Sequence, residues 1–347
     1  MRRPAALLAL AVLLPVARGA TAPPLPPQPV TPAEHRRGTE QTFLTYPEWF
    51  LVHSPAEYAA FVRDHPPSEF PFFGHIRQFW SSYHAVYRET RRGYPTNWGY
   101  HVMIMVIGVS TTAEYALRGA YETVVGRVSE LTATHGMTEE DRYGARVAQE
   151  YVDFIRVRPW YEFDFRRRLK GLWAETHAFG PDMIRKWERR YALTSEYAAK
   201  GLYGWVIMKA TKTAYEEARP DTVVWLDRLP PLDAGTAGEV HLLRRLPDGS
   251  ALVAFPRYDA FKDVSTNVAI AGADFREIAG NRSLILVSAL VPVAYVPAEG
   301  DRVLFTQPLI TQPAFKRVAL VVPVATLADT LRSLRAQRVT LEHVYDY

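Results

Sequence analysis

The chain reads as α+β, with an all-helical domain over residues 43–218 followed by a ferredoxin-like α+β domain over residues 219–347. Three observations predict this. Apolar and aromatic residues recur at three and four residues from Phe72 to Arg92, the helical period. β-Branched runs and turn dipeptides such as Asp248-Gly249 begin only after the break at Arg219-Pro220. From Ala251 to Tyr345 the elements follow a β-α-β-β-α-β order. At 347 residues, 48% hydrophobic and 22% charged, the chain has the length and composition for two ordinary cores.

Arg2 and Arg3 precede an apolar stretch, Ala5–Val16, and the small residues Ala17, Gly19 and Ala20. That is the layout of an export signal, and the stretch is short for a membrane span. Residues 1–20 are therefore assigned to a signal peptide or an uncleaved N-terminal anchor. The body is expected in the periplasm, free or tethered to the inner membrane by that segment. Cleavage would remove Arg2, Arg3 and Arg18, which lowers the formal charge from +4 to +1. A nearly neutral exported protein is not expected to bind nucleic acid. The absence of cysteine excludes disulfides, thiol catalysis, thiolate metal sites and iron–sulfur clusters.

Residues 21–42 form a linker, because six prolines fall between residues 21 and 40. Ser54-Pro55-Ala56-Glu57 predicts a helix start with Ser54 as cap. Phe72–Arg92 predicts an amphipathic helix. Asn97–Leu131 opens on the apolar run Val102–Val109 and predicts a buried core helix. Thr138 caps the next helix, Pro159 interrupts it, and Gly180-Pro181-Asp182 starts a last long helix that ends near Ala218. Strands are expected at Ala251–Arg257, Ser283–Val291, Val303–Leu309, Arg317–Val324 and Val339–Tyr345. Helices are expected at Ala260–Ile278 and Thr326–Gln337. No internal repeat of fixed period is visible.

No motif with known chemistry is present: H-E-x-x-H, E-x-x-H, G-x-S-x-G and S-x-x-K are all missing. The best acid–base candidates are Glu114, Arg118 and Glu122, spaced by four and hence on one helix face. Tyr151, Asp153, Arg156, Arg158, Tyr161 and Glu162 form a dense polar-aromatic segment that could meet that face. An enzyme of hydrolase or isomerase type would use Glu114, Glu122, Asp153 and Glu162 as acid and base, with Arg118, Tyr151, Arg156, Arg158 and Tyr161 binding its ligand. The competing expectation is an ion network that ties helices together.

Arg166, Arg167, Arg168, Lys170 and Trp173, and likewise Arg185, Lys186 and Trp187, place cations beside tryptophan. On an exported protein this pattern suits membrane lipid or an envelope protein. The leading expectation is accordingly a non-catalytic binding or scaffolding role at the envelope, in contact with a lipid, an apolar ligand or a membrane partner. No cofactor and no metal site is expected. Non-covalent haem held by His84 or His101, or a metal at His75 or His84 with distant partners, is a further alternative, although histidine beside aromatics describes most helical cores.

Overall fold

The computed structural model describes residues 28–211, 219–298 and 300–345. The expected export signal and the first residues of the linker lie outside them. The fold is α+β, with the helices first. Helices α1 (Thr45–Phe61), α2 (Phe72–Gly93) and α3 (Trp98–Tyr121) come in order. A π-helical turn, Glu122–Gly126, joins α3 to the short α4 (Arg127–Glu130). Helices α5 (Glu139–Ile155), α6 (Phe165–Glu175) and α7 (Met183–Thr211) follow.

Two helix expectations are corrected. Ser54 does not cap a helix: α1 starts nine residues earlier, carries Pro55 inside, and directs the Ser54 hydroxyl to His75 and Tyr115. Nor is α3 a buried core helix. Ile104, Gly108 and Tyr115 pack inward, but Val102 is 61% exposed and Leu117 74%. Close approach of α3 to α2 needs Gly108, where a β-carbon would lie 2.9 Å from Phe79 Cζ and 3.0 Å from Trp80. The proline-rich stretch is also less free than a linker. Val30 and Thr31 donate backbone N–H bonds to Glu277, and Arg37 donates one to Ala279.

The second half holds β1 (Asp221–Leu226), α8 (Ala234–Glu239), β2 (His241–Arg245), β3 (Ala251–Pro256), α9 (Asp259–Ile270) and β4 (Phe275–Ile278). It continues with β5 (Leu284–Pro292), β6 (Arg302–Pro308), β7 (Phe315–Pro323), α10 (Leu327–Ala336) and β8 (Thr340–Val344). This is not one ferredoxin-like sheet. There are two antiparallel four-stranded sheets, ordered β2-β3-β1-β4 and β6-β7-β5-β8. Part of the expected helix at Ala260–Ile278 is the strand β4.

The two sheets repeat one βββαβ unit, and the register shows it. Asp221 pairs with Pro256 as Leu284 pairs with Pro323. On that alignment the irregularity between Trp225 and Leu226 recurs between Ser288 and Ala289. The slip after Leu242 likewise recurs after Val303. Bulges re-aim side chains at fixed positions, so their coincidence marks the same strand plan used twice.

One core fills the space between the repeats. Val224, Val253 and Phe255 of the first sheet, Val287 and Leu320 of the second, and Val264 and Leu331 of α9 and α10 belong to it. The outer face of the second sheet meets the helical part: Leu286, Val321 and Tyr345 pack with Phe43, Tyr46 and Val86. The outer face of the first sheet, with Val223 and Trp225, is covered by Val30 and Leu246.

Candidate functional site

Helix period places Glu114, Arg118 and Glu122 on one line, and α7 runs antiparallel along it. Lys200 Nζ lies 2.9 Å from Glu114 and 2.8 Å from Glu196. Arg118 lies 3.2 Å from Glu196, and its guanidinium sits 4.2 Å above the Tyr58 ring, with a further bond to that phenol. Arg189 grips Glu122 with two bonds of 2.9 and 3.0 Å. The π turn brings Glu122 inward, and Gly126 leaves room for its carboxylate.

The same helix continues the network towards α5. Arg185 bonds Asp141, the Gly126 carbonyl and Ser129, while Lys186 reaches Glu139 and Glu140. Arg190 bonds Glu140 and Thr176 at 2.7 Å. Burial alone would raise the Glu196 carboxyl, but Arg118 and Lys200 overcome it and hold it at about 2. Burial would likewise lower Lys200, yet Glu114 and Glu196 raise it. Among these charges lies a cavity of about 20 Å³, lined by Tyr58, Arg118, Glu122, Glu140, Arg189 and Glu196 among others. That is room for one water and not for a substrate.

The other expected site residues are not gathered there. Tyr151 alone joins the ladder, with Lys200 Nζ 5.5 Å above its ring. Asp153 pairs with Arg156 at 3.7 Å, whereas Glu114 and Glu122 pair with Lys200 and Arg189. Arg158 stacks over Phe154, Tyr161 lies against α7 at Gly204, and Glu162 is exposed. The four candidate carboxylates, Glu114, Glu122, Asp153 and Glu162, therefore do not converge.

The expected membrane-contact residues divide. Arg185 and Lys186 are 2% and 5% exposed and spent on carboxylates, so they are not available to a surface partner. Arg168 is held by Glu150 at 3.0 Å. Arg166, Arg167, Lys170, Trp173 and Trp187 remain exposed. Lys170 and Trp173 line an open, mostly apolar hollow of about 530 Å³ with Leu169, Ala174 and Thr194. Of the weak haem and metal candidates, His101 is buried and bonded to Tyr83 at 3.0 Å, whereas His84 is exposed.

A second cluster escaped the sequence altogether. Where α1 meets the second sheet, buried Arg317 bonds Glu57 at 2.9 Å and Glu342 twice at 2.6 Å. His53 lies 3.6 Å from Glu342, and His343 stacks on Trp49 with ring centroids 3.6 Å apart. Ser54, His75 and Glu57 stand in the order hydroxyl, imidazole, carboxylate, at 2.9 Å and 3.6 Å. Such an order serves acyl transfer when a carbonyl can reach the hydroxyl. Here Ser54 and His75 are each 1% exposed and Ser54 is bonded to Tyr115, so the array works as a tie between helices. The only hint in sequence was ionic residues inside strands that are otherwise apolar. Comparison with protein-family models, with curated proteins and with solved structures found no match.

Proposed function

We propose that the protein is a non-catalytic docking module of the cell envelope whose contact surface is the outer face of α3 and α7. The outer face of α3 supports this most directly. From Trp98 through Gly126 its exposed side chains include Val102, Val106, Val109, Leu117 and Val124, and the one exposed ionic group is Glu114, already paired with Lys200. On α7, Ile184, Tyr191, Leu202 and Val206 are exposed, and no exposed residue before Lys209 is charged. Single exposed apolar residues are ordinary, whereas a continuous apolar face marks a contact surface.

The ion network supports the same conclusion from the inside. Its charges are spent on one another, so it fixes the two long helices and leaves their outer faces to a partner. An acid–base enzyme would need two carboxylates converging in a cavity of substrate size, and the ladder has a cavity of about 20 Å³. The test is cell fractionation of the full chain and of the double variant Val106→Glu/Leu117→Glu. The wild type should remain with the envelope and the variant should move to the soluble fraction with its helical content intact. Equal distribution of both would overturn the proposal.

A further inference from the structure

We propose that the partner of this face is an anionic phospholipid bilayer, with α3 and α7 lying at its headgroup–acyl boundary; this rests on the docking-surface proposal above. Apolar exposure, aromatic placement and charge favour lipid over protein. At 24 residues α3 is about 36 Å long, and Val102, Val106, Val109 and Leu117 stand exposed along it. Exposed indoles stand along the face, as they do where proteins meet the membrane interface. Trp98, 71% exposed, opens α3, and Trp205, half exposed, lies near the end of α7. Lys200 lies beside Glu114, so the antiparallel run brings Trp205 level with the middle of α3, and Trp98 stands further towards its start.

Exposed cations border the face at several points. Arg88, Arg91 and Arg92 occupy the last turns of α2, which lead directly into α3. Lys209 sits 4.2 Å above the Trp205 ring. Arg166 and Arg167 open α6, where the Arg166 side chain lies 3.8 Å from the position of a β-carbon at Gly201 of α7. None of these six forms an ion pair among the described residues. Against them stand two exposed carboxylates near the start of α6, Glu162 and Asp164. A helix face with a single exposed ionic group, cations at its border and exposed tryptophan along it is the chemistry of an interfacial helix on anionic lipid. The apolar N-terminal stretch Ala5–Val16 would supply a second, independent membrane signal.

The test uses the full chain and vesicles of phosphatidylglycerol with phosphatidylethanolamine, compared with vesicles of phosphatidylcholine. Sedimentation should show preferential binding to the anionic vesicles. Val106→Glu/Leu117→Glu and Arg91→Glu/Arg92→Glu should each weaken it by about tenfold or more. Brominated acyl chains should quench tryptophan emission, and the quenched part should vanish in Trp98→Phe/Trp205→Phe; this readout does not depend on the charged variants folding. Binding that ignores all these substitutions, with no quenching of Trp98 or Trp205, overturns the lipid proposal. If light scattering instead shows a wild-type dimer that Val106→Glu/Leu117→Glu dissociates, the face is a docking surface for a second copy and only the lipid assignment falls. If neither vesicle binding nor mass responds to the face variants, both proposals fall.

Discussion

Glu122 and Arg189 meet as a two-pronged pair, 2.9 and 3.0 Å, at a point where both side chains are almost sealed from water. The pair closes the π turn of the α3 segment onto α7, so it sets how the outer faces of the two helices lie. Removing one partner from a buried pair leaves an unmatched charge. Arg189→Met should therefore lower stability by roughly 3–5 kcal/mol, and adding Glu122→Gln should restore part of that. Denaturant midpoints of the two single variants and the double variant measure the coupling. Additive losses would mean that the pair carries no joint role.

Arg317 is the equivalent clamp between the helices and the second sheet. It is 1% exposed and serves two carboxylates, Glu57 and Glu342, on different layers. Arg317→Met should cost at least about 3 kcal/mol in denaturant unfolding. It should also speed amide exchange in α1 ahead of the rest of the chain. Uniform exchange across the chain would show that the clamp does not hold α1 in particular.

Acid should weaken the same layer. Burial lowers His53 to about 4 and His75 to about 3, and holds His343 well below the ordinary histidine range. In the unfolded chain each titrates near about 6.5. Folded values below the unfolded one mean that the unfolded chain binds more protons below that pH. The stability these histidines contribute is thus present above about pH 6.5 and lost as pH falls towards about 4. Burial raises Glu57, so this carboxyl takes up a proton in the folded state and offsets part of the loss. The unfolding free energy should fall steeply below about pH 6.5, and His75→Gln should reduce that slope by up to about 1.4 kcal/mol per pH unit. An unchanged slope in His75→Gln would show that His75 is not buried in its neutral form.

The α2–α3 contact has no spare volume at Gly108. A β-carbon there would press into the Phe79 ring, which is 2% exposed and held in the core. Gly108→Ala should destabilise by about 1–3 kcal/mol even though alanine favours helices, and Phe79→Leu should relieve part of it. A stabilised Gly108→Ala would show that the two helices can separate.

Much of the helical part was legible, because period and punctuation are local. The four-residue spacing of Glu114, Arg118 and Glu122 did place them on one face, and Thr138 does cap α5 with Asp141 answering. What failed depended on partners distant in sequence. The basic run Arg185–Arg190 resembled a membrane surface, but its acids include ones 44 to 67 residues earlier, on α5 and in the π turn. Ser54 had the surroundings of a cap, yet His75 and Tyr115 claim its hydroxyl. Hydropathy gave Val102–Val109 as buried, since mean apolarity does not say which side of a helix meets the core. The repeated βββαβ unit was hidden because it survives in register and not in residues. Trp225 occupies the place of Ser288, and Ser250, bonded to that Trp225, occupies the place of Arg317.

The chain has no cysteine, so a single introduced thiol can report on the contact face without background. Val109→Cys places a polarity-sensitive fluorophore at the middle of the α3 ridge, and Asp263→Cys places one on exposed α9. On addition of envelope vesicles, the label at residue 109 should shift to the blue and brighten while the label at residue 263 stays unchanged. No shift at residue 109, or equal shifts at both positions, would contradict the assignment of the α3–α7 face as the surface through which this protein acts.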